Sequence, residues 1–307
     1  MTALPTHTPY DGSSKLFTIG LKPLELADWI EIDATFDRQL REKRRLYAER
    51  ESDVFVAEPG SEDGQSEVLA LLREHLTIRF PERYRQHCRG IEIAGHPALS
   101  TDAIKAMPPL RAASLLVQED LILMRRGEAG WRLAAGSLCF PSSWSLREKF
   151  GKPLHEIHAP VPAFGPGTRM AELIARMFDN LQGQGVQRFN WSIQAGDDLY
   201  HPLSSVARID RATNRPSRFP DPEAAARAFI RVERQTLRKL PVSGDILFTI
   251  RIHLDPLALL ARHPERSVLA RSFAAQLDAL DEAQLDYKGL TADRDRLTEQ
   301  LQIIAAT

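Results

Sequence analysis

The chain has 307 residues, 43% of them hydrophobic, which is enough apolar material for one large domain or two small ones. Forty Lys and Arg stand against 41 Asp and Glu, a net charge of −1, and this lacks the basic excess of a dedicated nucleic-acid binder. No run approaches the ~20 apolar residues that cross a bilayer, and the opening MTALPTHTPYDGSS has neither the basic start nor the apolar stretch of a secretory signal. The expectation is a cytoplasmic protein with neither nucleic acid nor membrane as partner. Cys88 and Cys139, the only two cysteines, have no CxxC partner and read as buried, reduced thiols.

Residues 1–25 read as a polar arm that lies on the surface or frays. Residues 26–108 read as a helical region: Phe36, Leu40 and Tyr47 give one amphipathic helix, and Val68, Leu71, Leu72, Leu76 and Phe80 a second that stops at Pro81, joined by a loop over residues 59–64. Residues 109–256 change texture. SLLVQEDLILMRR, GEAG and WRLAAGSLCF read as two strands and a turn. Ser145 and Glu148 have the spacing of a capping box for a short helix, and Met170, Leu173, Ile174, Met177, Phe178 and Leu181 fall on one face of a longer one. Residues 186–193 read as a strand, and Asp221-Pro222 opens an Ala-rich helix. IRVERQTLRKL fits a helix or a strand; the alternating ILFTIRIH beyond Ser243-Gly244 favours a hairpin. Asp255-Pro256 caps a further short helix, and residues 257–307 are helical with a break near Gly289. Hairpin-linked strands with inserted helices imply an α+β fold on an antiparallel sheet spanning about residues 110–253.

The common catalytic motifs, GxxxxGK[ST], HExxH and GxSxG, are absent. Gly183 and Gly185 begin a GxG, but Arg188 takes the third glycine position and a helix precedes it. HEIHAPVP sets His155 and His158 three apart, and Pro160 and Pro162 forbid a helix through the segment. The pair is therefore a weak two-histidine site. One imidazole beside a rigid turn does suit an axial bond to haem iron, the alternative being an ordinary structural histidine. RFNWSIQAGDDLYHP places Arg188 and Asn190 in a strand and Asp197, Asp198 and His201 at its end, where a Gly-Asp-Asp turn caps or is solvated, or else binds a cation. Glu233, Arg234, Arg238 and Arg251 sit in apolar strands, paired with one another or turned to an anionic ligand.

The runs LVQEDLILMRR, WRLAAGSLCFPSSWSLREKFGKPLHEIHAPVP, RFNWSI, RVERQTLRKLPVSG, FTIRIHLDPL and YKGL, in that order, resemble the haem-dependent oxidative N-demethylase family over residues 29–290. The resemblance implies a PAS-like sheet with inserted and flanking helices and N- and C-terminal helical extensions, carrying b-type haem (heme b, with its iron) on a histidine. It also implies oxygen-dependent demethylation of a small secondary amine such as dimethylamine, giving formaldehyde. Electrons would come from NAD(P)H through a flavin and iron–sulfur reductase partner. His158, inside the most family-like run, becomes the expected iron ligand, with His201 in reserve. Arg188, Arg234 and Arg251 become propionate partners, Asn190 and Trp191 further cofactor contacts, and Glu233 the group that orients the amine. Two departures stand out: Ala163-Phe164 where the family has Gly-Tyr, and Ile252-His253 where it has Thr-Tyr. The competing reading is a PAS-type haem or small-molecule sensor without catalysis; no kinase, helix-turn-helix or long coiled-coil signature accompanies it.

Overall fold

Alternating apolar residues build the centre of the fold, because in a strand they gather on one face. In the computed structural model, which describes residues 4–307, the strands are β1 (Lys22–Leu24), β2 (Phe55–Ala57), β3 (Tyr84–His87), β4 (Gly90–Ile93), β5 (Leu99–Ser100), β6 (Asp120–Gly127), β7 (Gly130–Ser137), β8 (Gly185–Gln194), β9 (Phe229–Lys239) and β10 (Ile246–Pro256). The helices are α1 (Phe36–Val54), α2 (Glu62–Arg79), α3 (Thr101–Lys105), α4 (Pro109–Ser114), α5 (Leu146–Lys149), α6 (Leu154–His158), α7 (Arg169–Asn180), α8 (Ser205–Asn214), α9 (Pro222–Ala226), α10 (Arg266–Asp278), α11 (Glu282–Lys288) and α12 (Arg294–Ala306).

Seven strands form one antiparallel sheet in the order β1-β8-β9-β10-β6-β7-β2, and β3-β4-β5 form a small second sheet. The fold is therefore α+β. Both expected hairpins are present: β6 pairs with β7, and IRVERQTLRKL is strand β9, paired with β10 along its whole length. The sheet extends beyond residues 110–253, because β1 and β2 close its two edges. No described helix is long and apolar enough to cross a membrane.

The arm differs from a fraying one over its described part. Tyr10 is fully buried and stacks on Phe273 with ring centroids 4.4 Å apart, a contact of roughly 0.5–1.5 kcal/mol beyond the area it buries. Residues 1–3 of the arm lie outside the described residues. Cys139 is buried as expected, but Cys88 is exposed. Ser145 does not cap α5 with its side chain; the Glu148 carboxylate instead accepts from the Ser205 backbone amide at 2.8 Å. Asp255 is still in strand β10, and a 3-10 turn, Leu257–Arg262, follows it. The tail breaks at Gly289, whose φ of +65° ends α11, a conformation glycine adopts without a Cβ clash.

Side-chain alternation gives the large sheet two different faces. Arg188, Asn190 and Ser192 of β8 point to the same side as Glu233, Gln235 and Leu237 of β9 and Phe248 and Ile250 of β10. The register places Arg188 beside Gln235, and Asn190 beside Glu233. Helices α5, α6 and α7, all inserted between β7 and β8, cover this side. The other side carries Trp191, Val232 and Ile230, which pack with Phe273 and Leu277 of α10 in a separate apolar cluster.

Candidate functional site

Between the first sheet face and the helices over it lies a cavity of about 510 Å³, within the roughly 300–1,000 Å³ of cofactor and ligand sites. Its apolar wall includes Ile122, Met124, Leu133, Phe178, Phe248 and Ile250. Phe17, Ile19 and Leu21 of the arm complete it.

His158 enters from α6. A five-residue helix does form over this segment, because Pro153 sits at its N-terminal boundary, where no amide donor is needed, and Pro160 comes only after its end. The helix lets the His158 Nδ1 reach back to the Leu154 carbonyl at 2.9 Å. Nε2 has no hydrogen-bond partner among the described residues. An imidazole anchored by Nδ1–H to a carbonyl, with Nε2 left over, is the arrangement that orients a metal-ligating histidine. Burial, reinforced by the Lys149 and Arg188 charges, pushes this imidazole down to about 4, so it is neutral and its lone pair is available at ordinary pH.

That shift has a testable sign. An exposed histidine in the unfolded chain titrates near 6.5, so as pH falls from about 6.5 towards 4 the unfolded chain of the haem-free protein takes up a proton that the folded chain refuses. The stability is whole above about pH 6.5 and is lost below it, on the order of 3 kcal/mol in all. Denaturant unfolding of the haem-free protein across this range should show that loss, and His158→Gln should flatten it. Equal slopes in the two proteins would mean that the ring titrates normally.

Five cations line the same cavity: Lys149, Arg188, Arg211, Arg218 and Lys288. None makes an ion pair among the described residues. Arg188 makes no side-chain hydrogen bond either, and the Nε atoms of Arg188, Arg211 and Arg218 are buried without partners. Arg211 donates to the Ser143 hydroxyl and the Tyr287 carbonyl, and Arg218 to the Lys288 carbonyl. Lys288 donates from Nζ to the Trp191 carbonyl at 2.6 Å. Burial lowers both lysines to about 8 and Arg218 to about 10. The one lining carboxylate is Glu233, which accepts from Gln235 Nε2 at 2.9 Å and lies 3.8 Å from Arg231 Nε. Buried charges of one sign with so little compensation are costly, and the offset they call for is an anion of more than one charge.

Of the residues singled out from sequence, His158, Arg188, Asn190 and Glu233 come together here, and so does His201. The His201 Nε2 faces the Gln194 amide at 3.4 Å. Arg234, Arg251 and Trp191 do not join them. Arg234 lies 3.3 Å from Glu31 and donates to the Gln187 side chain and the Trp29 carbonyl. Arg251 pairs with Asp33 at 2.7 Å, and Trp191 donates from Nε1 to Gln276. Arg238 stacks on Trp29, with its guanidinium carbon 4.5 Å from the ring centre. Asp197 forms an exposed pair with Arg38. Lys149, Tyr287 and Lys288 were missed, although all three lie in family-like runs, SLREKFGKPLHEIH and YKGL; Arg211 and Arg218 had no such signal.

One family departure falls on the cavity and the other does not. Phe164 lines the wall, its ring 6.5 Å from that of His158. Ala163 before it holds φ +66°, a left-handed conformation that fits the glycine expected there. Ile252, paired with Glu233 in the ladder, is buried on the cavity face of the sheet without lining the cavity, and His253 faces Glu31 on the opposite face. The family model described as haem-dependent oxidative N-demethylase, alpha subunit-like, matches residues 20–298.

Proposed function

Because this chain belongs to the haem-dependent oxidative N-demethylase, alpha subunit-like, family, we propose that the cavity takes b-type haem on His158 and that the protein removes a methyl group from a small secondary amine. The products are the primary amine and formaldehyde, with oxygen as oxidant and electrons from a partner reductase. One observation carries this reading: a neutral imidazole with no hydrogen-bond partner at Nε2 shares its cavity with five cations that make no ion pair among the described residues and have a single carboxylate, Glu233, near them. The residues fit the group, since the imidazole suits the iron and the guanidiniums suit two propionates through charge-assisted hydrogen bonds. When bound there, haem supplies the oxygen activation.

The chain's own residues do the rest. The Leu154 carbonyl fixes the His158 ring, and Arg188, with Arg211 and Arg218, holds the anionic edge of the cofactor. Ile122, Phe248 and Ile250 keep water from the reacting volume. With the cations neutralised, Glu233 is left as the carboxylate that holds an alkylammonium, and its bond from Gln235 fixes its direction. Holding the amine this way turns an encounter into a positioned reaction. Phe164 supplies no hydroxyl where the family has tyrosine, so the amine preferred here can differ from dimethylamine. A hairpin and a three-strand meander, joined through β6 and β10 with the helical insertion on the cavity side, support the PAS-like reading. The words "alpha subunit-like" fit a chain that works in a multi-subunit arrangement.

The test is the visible spectrum of the haem-loaded protein, oxidised, reduced and with carbon monoxide, followed by formaldehyde release. Release should need a methylated amine and an NAD(P)H-fed flavin and iron–sulfur reductase. No Soret band after reconstitution, or no formaldehyde from any small methylated amine, would overturn the reading. Glu233→Gln should raise the KM for the amine by roughly 10–100-fold with haem retained, the value of one charge-assisted bond. Unchanged kinetics would remove Glu233 from the amine site.

A further inference from the structure

A second group of chemistry-bearing side chains lies on the sheet face away from the cavity. His7 comes from the arm, Glu31 from the segment before α1, and His253 from β10. The Glu31 Oε2 lies 3.0 Å from His7 Nε2 and 3.0 Å from His253 Nε2, and one donor atom from each residue falls within 4.8 Å of the others. Donors about 2.1 Å from a tetrahedral ion stand about 3.4 Å from one another, so little movement would bring all three onto one centre. Two imidazoles and a carboxylate are a common zinc ligand set.

The surroundings suit a cation. The Asp33 Oδ2 lies 3.7 Å from His253 Nδ1, beyond hydrogen-bond distance but near enough to place negative charge behind the imidazole. Asp255, two residues along the same strand face and within charge range of His7 and Asp33, has no ion-pair or side-chain hydrogen-bond partner among the described residues. Glu31, Asp33 and Asp255 thus face only two guanidiniums, those of Arg234 and Arg251. Arg234 approaches Glu31 through Oε1, which leaves the shared Oε2 free. The His7 and Glu31 side chains are 21% and 25% exposed, so water can reach an open coordination position.

We propose that His7, Glu31 and His253 form a binding site for a divalent transition-metal ion of the zinc class, which clasps the N-terminal arm to the sheet. The site stands apart from the cavity and does not depend on the function proposed for it. Its structural effect is specific, because the arm held at His7 goes on to supply Phe17, Ile19 and Leu21 to the cavity wall.

Tag-free full-length protein stripped with a chelator and dialysed against zinc chloride tests it. One zinc per chain is expected by elemental analysis, with a rise in melting temperature on zinc addition. His7→Ala and His253→Ala should each weaken zinc binding by about tenfold or more and abolish the thermal shift. His7 lies in the arm, outside the strands and helices, so folding of His7→Ala can be checked by circular dichroism and the cooperativity of its thermal unfolding. No zinc above background in the wild type, or equal zinc retention in the doubly substituted protein, would show that the three side chains are only a hydrogen-bonded clasp.

Discussion

His158→Ala is expected to cost the protein its haem. The bond from an imidazole to iron is directional, and alanine leaves an apolar gap where Nε2 stood. Removing mere supporting partners of a metal ligand typically weakens binding 10–100-fold, so loss of the ligand itself should exceed about 100-fold. After reconstitution and desalting, the Soret absorbance per chain should fall to background while the far-ultraviolet dichroism is kept. Added imidazole, small enough for the gap, should restore part of the band. His155→Ala, three residues away on a helix only five residues long, should keep the wild-type spectrum. A His158→Ala protein with full haem and an unchanged spectrum, beside a His201→Ala protein that loses it, would move the ligand to His201, which lines the same cavity.

The central strands β6, β7 and β10 were legible because apolar runs of eight to eleven residues bounded by turn residues read as strands, whereas β9 also fitted a helix and was decided by the alternating run of β10 beyond Ser243-Gly244. The edge strands β1 and β2 were not, since three residues are too short to show a period. Sequence left open whether the arm packs or frays because its anchors, Tyr10 and His7, are isolated in a polar stretch, and their value depends on Phe273 and Glu31, far away in sequence. That three of the seven assigned site residues, Arg234, Arg251 and Trp191, lie away from the cavity could have been read from the strands alone. Neighbours in a strand face opposite ways, so Glu233 and Arg234 cannot share a cavity, nor can Asn190 and Trp191. Arg251 pairs directly with Arg234 in the ladder and goes to the same far face. The cavity lysines were hidden for another reason: a lysine in a short helix reads as solvated until the packing of α5 and α11 encloses it.

Arg188→Met should move two measured quantities in opposite directions. In the haem-free protein the Arg188 guanidinium is buried, its Nε has no partner, and burial lowers its pKa despite the nearby Glu233. Holding such a charge away from water costs stability, and replacing it with an apolar chain of similar length removes that cost. The haem-free variant should therefore melt higher than the wild type. Haem binding should move the other way. A charge-assisted bond to a propionate is worth about 1.5–3 kcal/mol, so its loss should speed haem transfer to an acceptor such as apomyoglobin by roughly 10–100-fold. Arg234→Met supplies the contrast: it breaks contacts with Glu31 and the Trp29 carbonyl, so it should lower the melting temperature and leave haem transfer near the wild-type rate. If Arg188→Met instead lowers the haem-free melting temperature and leaves haem transfer unchanged, Arg188 serves the sheet and not the cofactor, and the propionates must be assigned to Arg211 and Arg218.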